Sequence, residues 1–166
     1  MVTHDFLQPQ LPPTFNLFIM PADYLRLLKN LEENLKSEVV EVKSDKRYPV
    51  GVVNGAEINF MHYATFKQAK DSWEKRAKRI NWDNMLVKIV ERDGCTEGQL
   101  REFDGLTFKN KIAIVHKHYP DLKCELVVPM PSGASEMGKI TNWANLFENR
   151  EYDVIDWVTC VEQYLS

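Results

Sequence analysis

Met85-Leu86-Val87-Lys88-Ile89-Val90-Glu91-Arg92-Asp93-Gly94-Cys95-Thr96 is the stretch whose reading decides the fold. Its first half is a short, mostly apolar, β-branched run of strand length. Its second half is a polar turn, after which Leu100 and Phe103 fall at helical spacing. A strand that runs into a polar turn and then a helix is the unit from which parallel α/β sheets are built. Such sheets bind ligands outside the carboxyl ends of their strands. Residues just past each strand are therefore where chemistry is sought.

Working upstream, Val50-Gly51-Val52-Val53, then Asn54-Gly55, then Ala56-Glu57-Ile58-Asn59-Phe60 is the clearest local signal. Asn-Gly between two strand-like runs marks a type I′ hairpin, because both residues tolerate positive φ. Past the second arm, Thr65 is a plausible N-cap for a helix whose buried stripe is Phe66, Ala69, Trp73, Ala77 and Ile80. Asn81-Trp82-Asp83-Asn84 breaks that helix and leads into the strand at Met85. Further back, Phe15-Asn16-Leu17-Phe18-Ile19-Met20 reads as a buried strand. Pro21 and Asp23 then open a helix that runs to about Lys36 on a stripe of Tyr24, Leu27, Leu28, Leu31 and Leu35. Val39-Val40-Glu41-Val42 reads as a short strand.

Downstream, Lys111-Ile112-Ala113-Ile114-Val115 is a strand, with Pro120 closing the segment after it. Glu125-Leu126-Val127-Val128 is a further strand at an edge. Trp143, Leu146 and Phe147 suggest a helical turn, and Asp153 caps a closing helix with Ile155, Val158, Val161 and Leu165. The expected architecture is a single three-layer α/β domain over residues 14–166, with a mostly parallel sheet and one β-hairpin. An irregular, proline-rich arm over residues 1–13 precedes it.

Composition narrows the function classes. The 166 residues suffice for one stable core, and a net charge of -3 argues against a nucleic-acid binder, which needs a basic face. No apolar stretch is long enough to cross a bilayer. Residues 1–13 lack the basic and apolar regions of a secretory signal. Cys95, Cys124 and Cys160 are widely spaced with no CxxC, so a zinc ribbon is not expected and reduced thiols in the cytoplasm are.

Several residues have the chemistry for a site. Arg92 offers a planar fork for phosphate or carboxylate, and Asp93 can act as a base or bind a metal or hydroxyls. Gly94 lets a backbone approach, and the helix opened by Thr96 favours an anion. The structural alternative is that Asp93 or Thr96 only caps the helix while Arg92 makes a surface pair. Cys95, beside that helix start, is either a sensitised thiol or an inert one. His62, His116 and His118 each leave a strand, so with Asp93 they form a candidate acid–base or metal group if the strand ends converge. Trp82, Asp83 and Asn84 combine an aromatic face with hydrogen-bonding groups, as sugar sites do. They also fit a plain helix-to-strand turn with Trp82 in the core.

Taken in order, Asn16-Leu17-Phe18, Pro21 with Asp23-Tyr24, Tyr48-Pro49-Val50-Gly51, Met61-His62-Tyr63, Lys78-Arg79-Ile80-Asn81-Trp82-Asp83-Asn84, Arg92-Asp93-Gly94-Cys95-Thr96, Phe103-Asp104 and Lys109-Asn110-Lys111 resemble a bacterial family of unknown function. Its members are identified as exopolysaccharide, or capsule, biosynthesis proteins. The resemblance implies an α/β fold and a role in cell-surface polysaccharide synthesis. Residues 1–13 depart from it, lacking the family's upstream segment with an asparagine, a cysteine and glycines. The expected activity is that of a transferase acting on an activated sugar or glycan precursor. His62, Asp93 and His116 are its catalytic candidates, and Arg92, Trp82, Asp83, Asn84, Cys95 and Thr96 its substrate-binding candidates. The expected ligand is a sugar or phosphate-bearing small molecule, and no cofactor or metal is named by the residues. The rival expectation is a non-catalytic binding or assembly partner within the polysaccharide machinery.

Overall fold

The computed structural model describes residues 13–14, 17–128, 130 and 133–137. In chain order the elements are α1 Pro21–Lys29, α2 Leu31–Lys36, β1 Val40–Val42, β2 Val50–Val53, β3 Ala56–Asn59 and α3 Phe66–Ala77. A 3-10 turn at Trp82–Asn84 precedes β4 Leu86–Val90, α4 Glu97–Asp104, β5 Asn110–Val115 and β6 Glu125–Val127. The chain is thus a mixture of helices and strands with two small sheets, one antiparallel in the order β1-β2-β3 and one parallel in the order β4-β5-β6. The hairpin belongs to the antiparallel sheet and does not extend the parallel one. The chain divides into two compact units with a boundary inside α1. The first takes in 26–81 and the second 82–128, among the described residues.

In the first unit the Asn54-Gly55 turn forms as its chemistry demands, with φ of 46° and 81°. Side chains hold it from outside: Arg26 Nη1 donates to the Gly55 carbonyl at 2.6 Å, and Asn54 Nδ2 donates to Asn34 Oδ1 at 2.8 Å. Buried Asn34 in turn donates to the Leu27 carbonyl at 2.7 Å, which satisfies an orphan acceptor in the last turn of α1. The single helix expected to Lys36 is therefore two, broken at Asn30, whose φ of -133° and ψ of 54° are not helical. The expected first strand is reduced, among the described residues, to one bridge between Phe18 and Asn59.

Thr65 caps α3 as expected, its hydroxyl accepting from the Gln68 N–H at 3.3 Å. Trp73 and Ala69 on the inner stripe are buried. Phe60 is the centre of an aromatic cluster, with edge-on contacts to Tyr63, Phe66 and Trp73 at 6.1, 6.2 and 6.4 Å between ring centroids.

In the second unit, β4, α4 and β5 form the strand–helix–strand unit read from the sequence, with Val90 in register with Ile114. Leu100 and Phe103 are fully buried on α4. Ile112, Ile114, Val128 and Met137 make a buried cluster against which Leu86, Val90, Leu126 and Met130 pack. β6 is an edge strand, as expected. The helical turn at Trp143 to Phe147, the closing helix from Asp153 and Cys160 lie outside the described residues. No helix among the described residues is long and apolar enough to cross a membrane.

Candidate functional site

The alternation of β4 decides what lies at its end. Val87 and Ile89 are buried and Lys88 between them is exposed. Period two then carries Glu91 onto the buried face one residue past the strand. Glu91 is 3% exposed, and its backbone is fixed on both sides. Its N–H donates to the Ile114 carbonyl at 2.9 Å, and its carbonyl accepts from the Met137 N–H at 2.7 Å.

A carboxylate so buried must be hydrogen-bonded, and Glu91 is. Its Oε2 accepts from the backbone N–H of His116 at 2.9 Å and from His116 Nδ1 at 2.6 Å. Its Oε1 accepts from the Tyr119 hydroxyl. Burial and the Glu91 carboxylate hold the Tyr119 phenol above its ordinary range, so Tyr119 serves as a donor. The 2.6 Å contact faces His116 Nδ1 toward the carboxylate and turns Nε2 away from it; a neutral ring that donates from Nδ1 would keep its lone pair on Nε2. The His116 side chain is 10% exposed. The result is an imidazole clamped by a carboxylate at the carboxyl ends of two adjacent parallel strands, the arrangement of an oriented general base.

The polar turn lies beside this cluster. Asp93 and Gly94 both have positive φ, 55° and 76°, and the Cys95 N–H returns to the Arg92 carbonyl at 3.1 Å, which makes a type I′ turn. Gly94 is required by this conformation and not by close packing, since an added Cβ would meet nothing within 4 Å. The Gly94 N–H donates to Glu136 Oε2 at 3.1 Å. Arg92 Nε is spent on Asp93 Oδ2 at 2.7 Å. Thr96 is spent on a capping box, its Oγ1 accepting from the Gln99 N–H at 3.3 Å while Gln99 Oε1 accepts from the Thr96 N–H at 2.9 Å. The structural alternatives weighed for Arg92 and Thr96 thus describe the bonds they make.

Cys95 is half-buried, and its thiol is pushed up to about 11, by burial first and then by the charges of Glu91 and Glu136. The helix start does not sensitise it, because burial, aided by the neighbouring carboxylates, outweighs the dipole. Trp82 is 41% exposed, which corrects the reading of it as a core plug, and Asp83 and Asn84 beside it are exposed too. His118 is exposed and paired through Nδ1 with Glu125.

Of the expected group, Asp93 and His116 stand at the carboxyl edge of the parallel sheet, with Arg92 beside them. His62 does not share that edge: it follows β3, a strand of the antiparallel sheet in the first unit, and it is exposed. Sequence reasoning missed Glu91 and Tyr119. Glu91 was discoverable, since a glutamate in phase with Val87 and Ile89 is a buried carboxylate that needs partners. Tyr119 carried no such signal. Among the described residues no group of three or more His, Cys, Asp and Glu is arranged to hold a metal ion.

A protein of Haemophilus influenzae, described as an uncharacterized protein, is 35% identical over 157 residues, covering 95% of this chain and 76% of its own length. Residues 1–162 match the family described as Domain of unknown function (DUF1919), and the chain belongs to that family.

Proposed function

We propose that this protein is a transferase-like enzyme that uses His116 as a general base on a hydroxyl-bearing precursor of cell-surface polysaccharide. One observation carries the catalytic part: the Nδ1 contact of His116 with buried Glu91 at the carboxyl ends of β4 and β5. The polysaccharide part rests on the ordered series of motifs that resembles exopolysaccharide biosynthesis proteins. In the step envisaged, His116 Nε2 takes the proton of an acceptor hydroxyl as its oxygen attacks the activated centre of a donor. The bond from that centre to its leaving group breaks, and Glu91 stabilises the imidazolium that forms. Tyr119 holds the second carboxylate oxygen and so fixes the carboxylate. A cytoplasmic setting, a three-layer body and a sugar or phosphate-bearing ligand belong to the same proposal.

The test is replacement of His116 by asparagine in a strain that makes its surface polymer through this protein. A positioned base contributes about 100- to 10,000-fold, so polymer should fall well below a tenth of normal at equal protein level. Normal polymer would overturn the proposal. A second reading, a non-catalytic partner in polysaccharide assembly, is favoured by the commitment of Arg92 to Asp93 and of Thr96 to its cap. Thermal shift with nucleotide sugars separates the two, since a ligand that binds only the folded state raises Tm.

A further inference from the structure

We infer that a cavity in the first unit, between the loop joining β1 to β2 and the residues that open α3, binds the pyrophosphate group of a small molecule. The cavity has a volume of about 450 Å³, within the range that holds a small ligand. Its lining includes Lys43, Lys46, Arg47 and Tyr48, against a single acidic side chain, Glu41.

The three cations are not equivalent. Lys46 is fixed in place: its Nζ lies 2.9 Å from Glu57 Oε1 and 2.6 Å from Oδ1 of buried Asn59. That bond from Lys46 holds the Glu57 carboxyl below its ordinary range, so Glu57 is ionised at neutral pH. Lys43 and Arg47 are exposed and make no hydrogen bond or ion pair with any described residue. Glu57 balances the charge of Lys46, so Lys43 and Arg47, unpaired among the described residues, supply the positive charge of the concavity, and an ammonium beside a guanidinium suits an anion with several oxygens. The guanidinium can meet two such oxygens at once. A concave site of this size selects a small molecule over an extended polymer. The inference is independent of the Glu91–His116 reading, and either can fail without the other.

The experiment is calorimetric titration of the full chain with inorganic pyrophosphate, with uridine diphosphate and with farnesyl pyrophosphate. Saturable binding is expected, weakened by added salt. The Lys43→Ala/Arg47→Ala double variant should bind at least about tenfold more weakly. Both positions are exposed, so the variant should unfold at the wild-type urea midpoint. His116→Asn should bind as wild type does. Uridine diphosphate binding tighter than pyrophosphate would identify a nucleotide source, farnesyl pyrophosphate binding tighter would identify a lipid carrier, and equal affinities would mean that the pyrophosphate alone is recognised. Absence of binding by all three probes, or undiminished affinity in the double variant, would overturn the inference.

Discussion

Replacing Glu91 by alanine removes one acceptor group that serves three donors. They are the backbone N–H of His116 at 2.9 Å, its Nδ1–H at 2.6 Å and the Tyr119 hydroxyl. Tyr119 is 6% exposed, so its orphaned hydroxyl cannot turn fully to water. Each buried donor left without a partner costs about 1–3 kcal/mol. Removing one member of a buried charged network costs about 3–5 kcal/mol in all. The lower half of that range is expected for Glu91→Ala, because the His116 ring retains some access to water. Glu91→Gln is the informative companion. Its carbonyl oxygen can still accept from His116, and the Tyr119 hydroxyl can rotate to accept from the new amide, so about 1–2 kcal/mol is expected. Urea denaturation followed by far-ultraviolet circular dichroism measures both, given an unchanged slope. A loss under about 1 kcal/mol for Glu91→Ala would refute the reasoning, since it would mean that the carboxylate is not the shared acceptor.

Four further outcomes are expected. Thr96→Ala should cost about 1 kcal/mol in urea, because it deletes the hydroxyl half of the α4 capping box. Gly51→Ala should cost about 1–3 kcal/mol, since its new Cβ would lie 2.7 Å from Val39 Cγ1 and 3.0 Å from Phe66 Cε2 inside a packed core. At Asp104, burial alone would raise the carboxyl. It is outweighed by bonds from the Cys124 thiol and the backbone N–H groups of Lys123 and Cys124 and by the charge of Lys111, which together hold it below its ordinary 3.8. A folded value below the unfolded one gives stability that is full above about pH 4 and lost as pH falls through the lowered value. The urea midpoint of wild type should therefore drop more between about pH 5 and pH 3 than that of Asp104→Asn. Finally, Cys95 should react with iodoacetamide far more slowly at neutral pH than a free thiol does, as its upward shift requires. Rapid modification would show an activated nucleophile instead.

Features whose cause is local were legible in the sequence. Asn54-Gly55 dictates its hairpin through the φ values it tolerates, Thr65 and Thr96 cap the helices they precede, and the run from Leu86 through α4 to β5 follows from apolar spacing. What failed depends on contacts between distant residues. The break at Asn30 is accompanied by Asn34, which reaches back to α1 and out to Asn54, and no helical periodicity reports those bonds. His116 could be chosen from its place past a strand, but the group that makes it chemically capable is Glu91, 25 residues earlier. Choosing His62 assumed one parallel sheet where there are two sheets of different kinds. Within the chain Arg92 engages its Nε with Asp93, and Thr96 serves the cap of α4, pairings that strand-end position alone does not report.

Nitrogen-15 shifts of the His116 ring, read from long-range proton–nitrogen correlation spectra of the labelled protein, reach the catalytic reading most directly. With Glu91 accepting from Nδ1, the neutral ring should carry its proton on Nδ1 and show the shift of a bare, unprotonated Nε2. A neutral His116 protonated on Nε2 would leave no oriented base at the end of the parallel sheet, and the proposed chemistry would have no starting point.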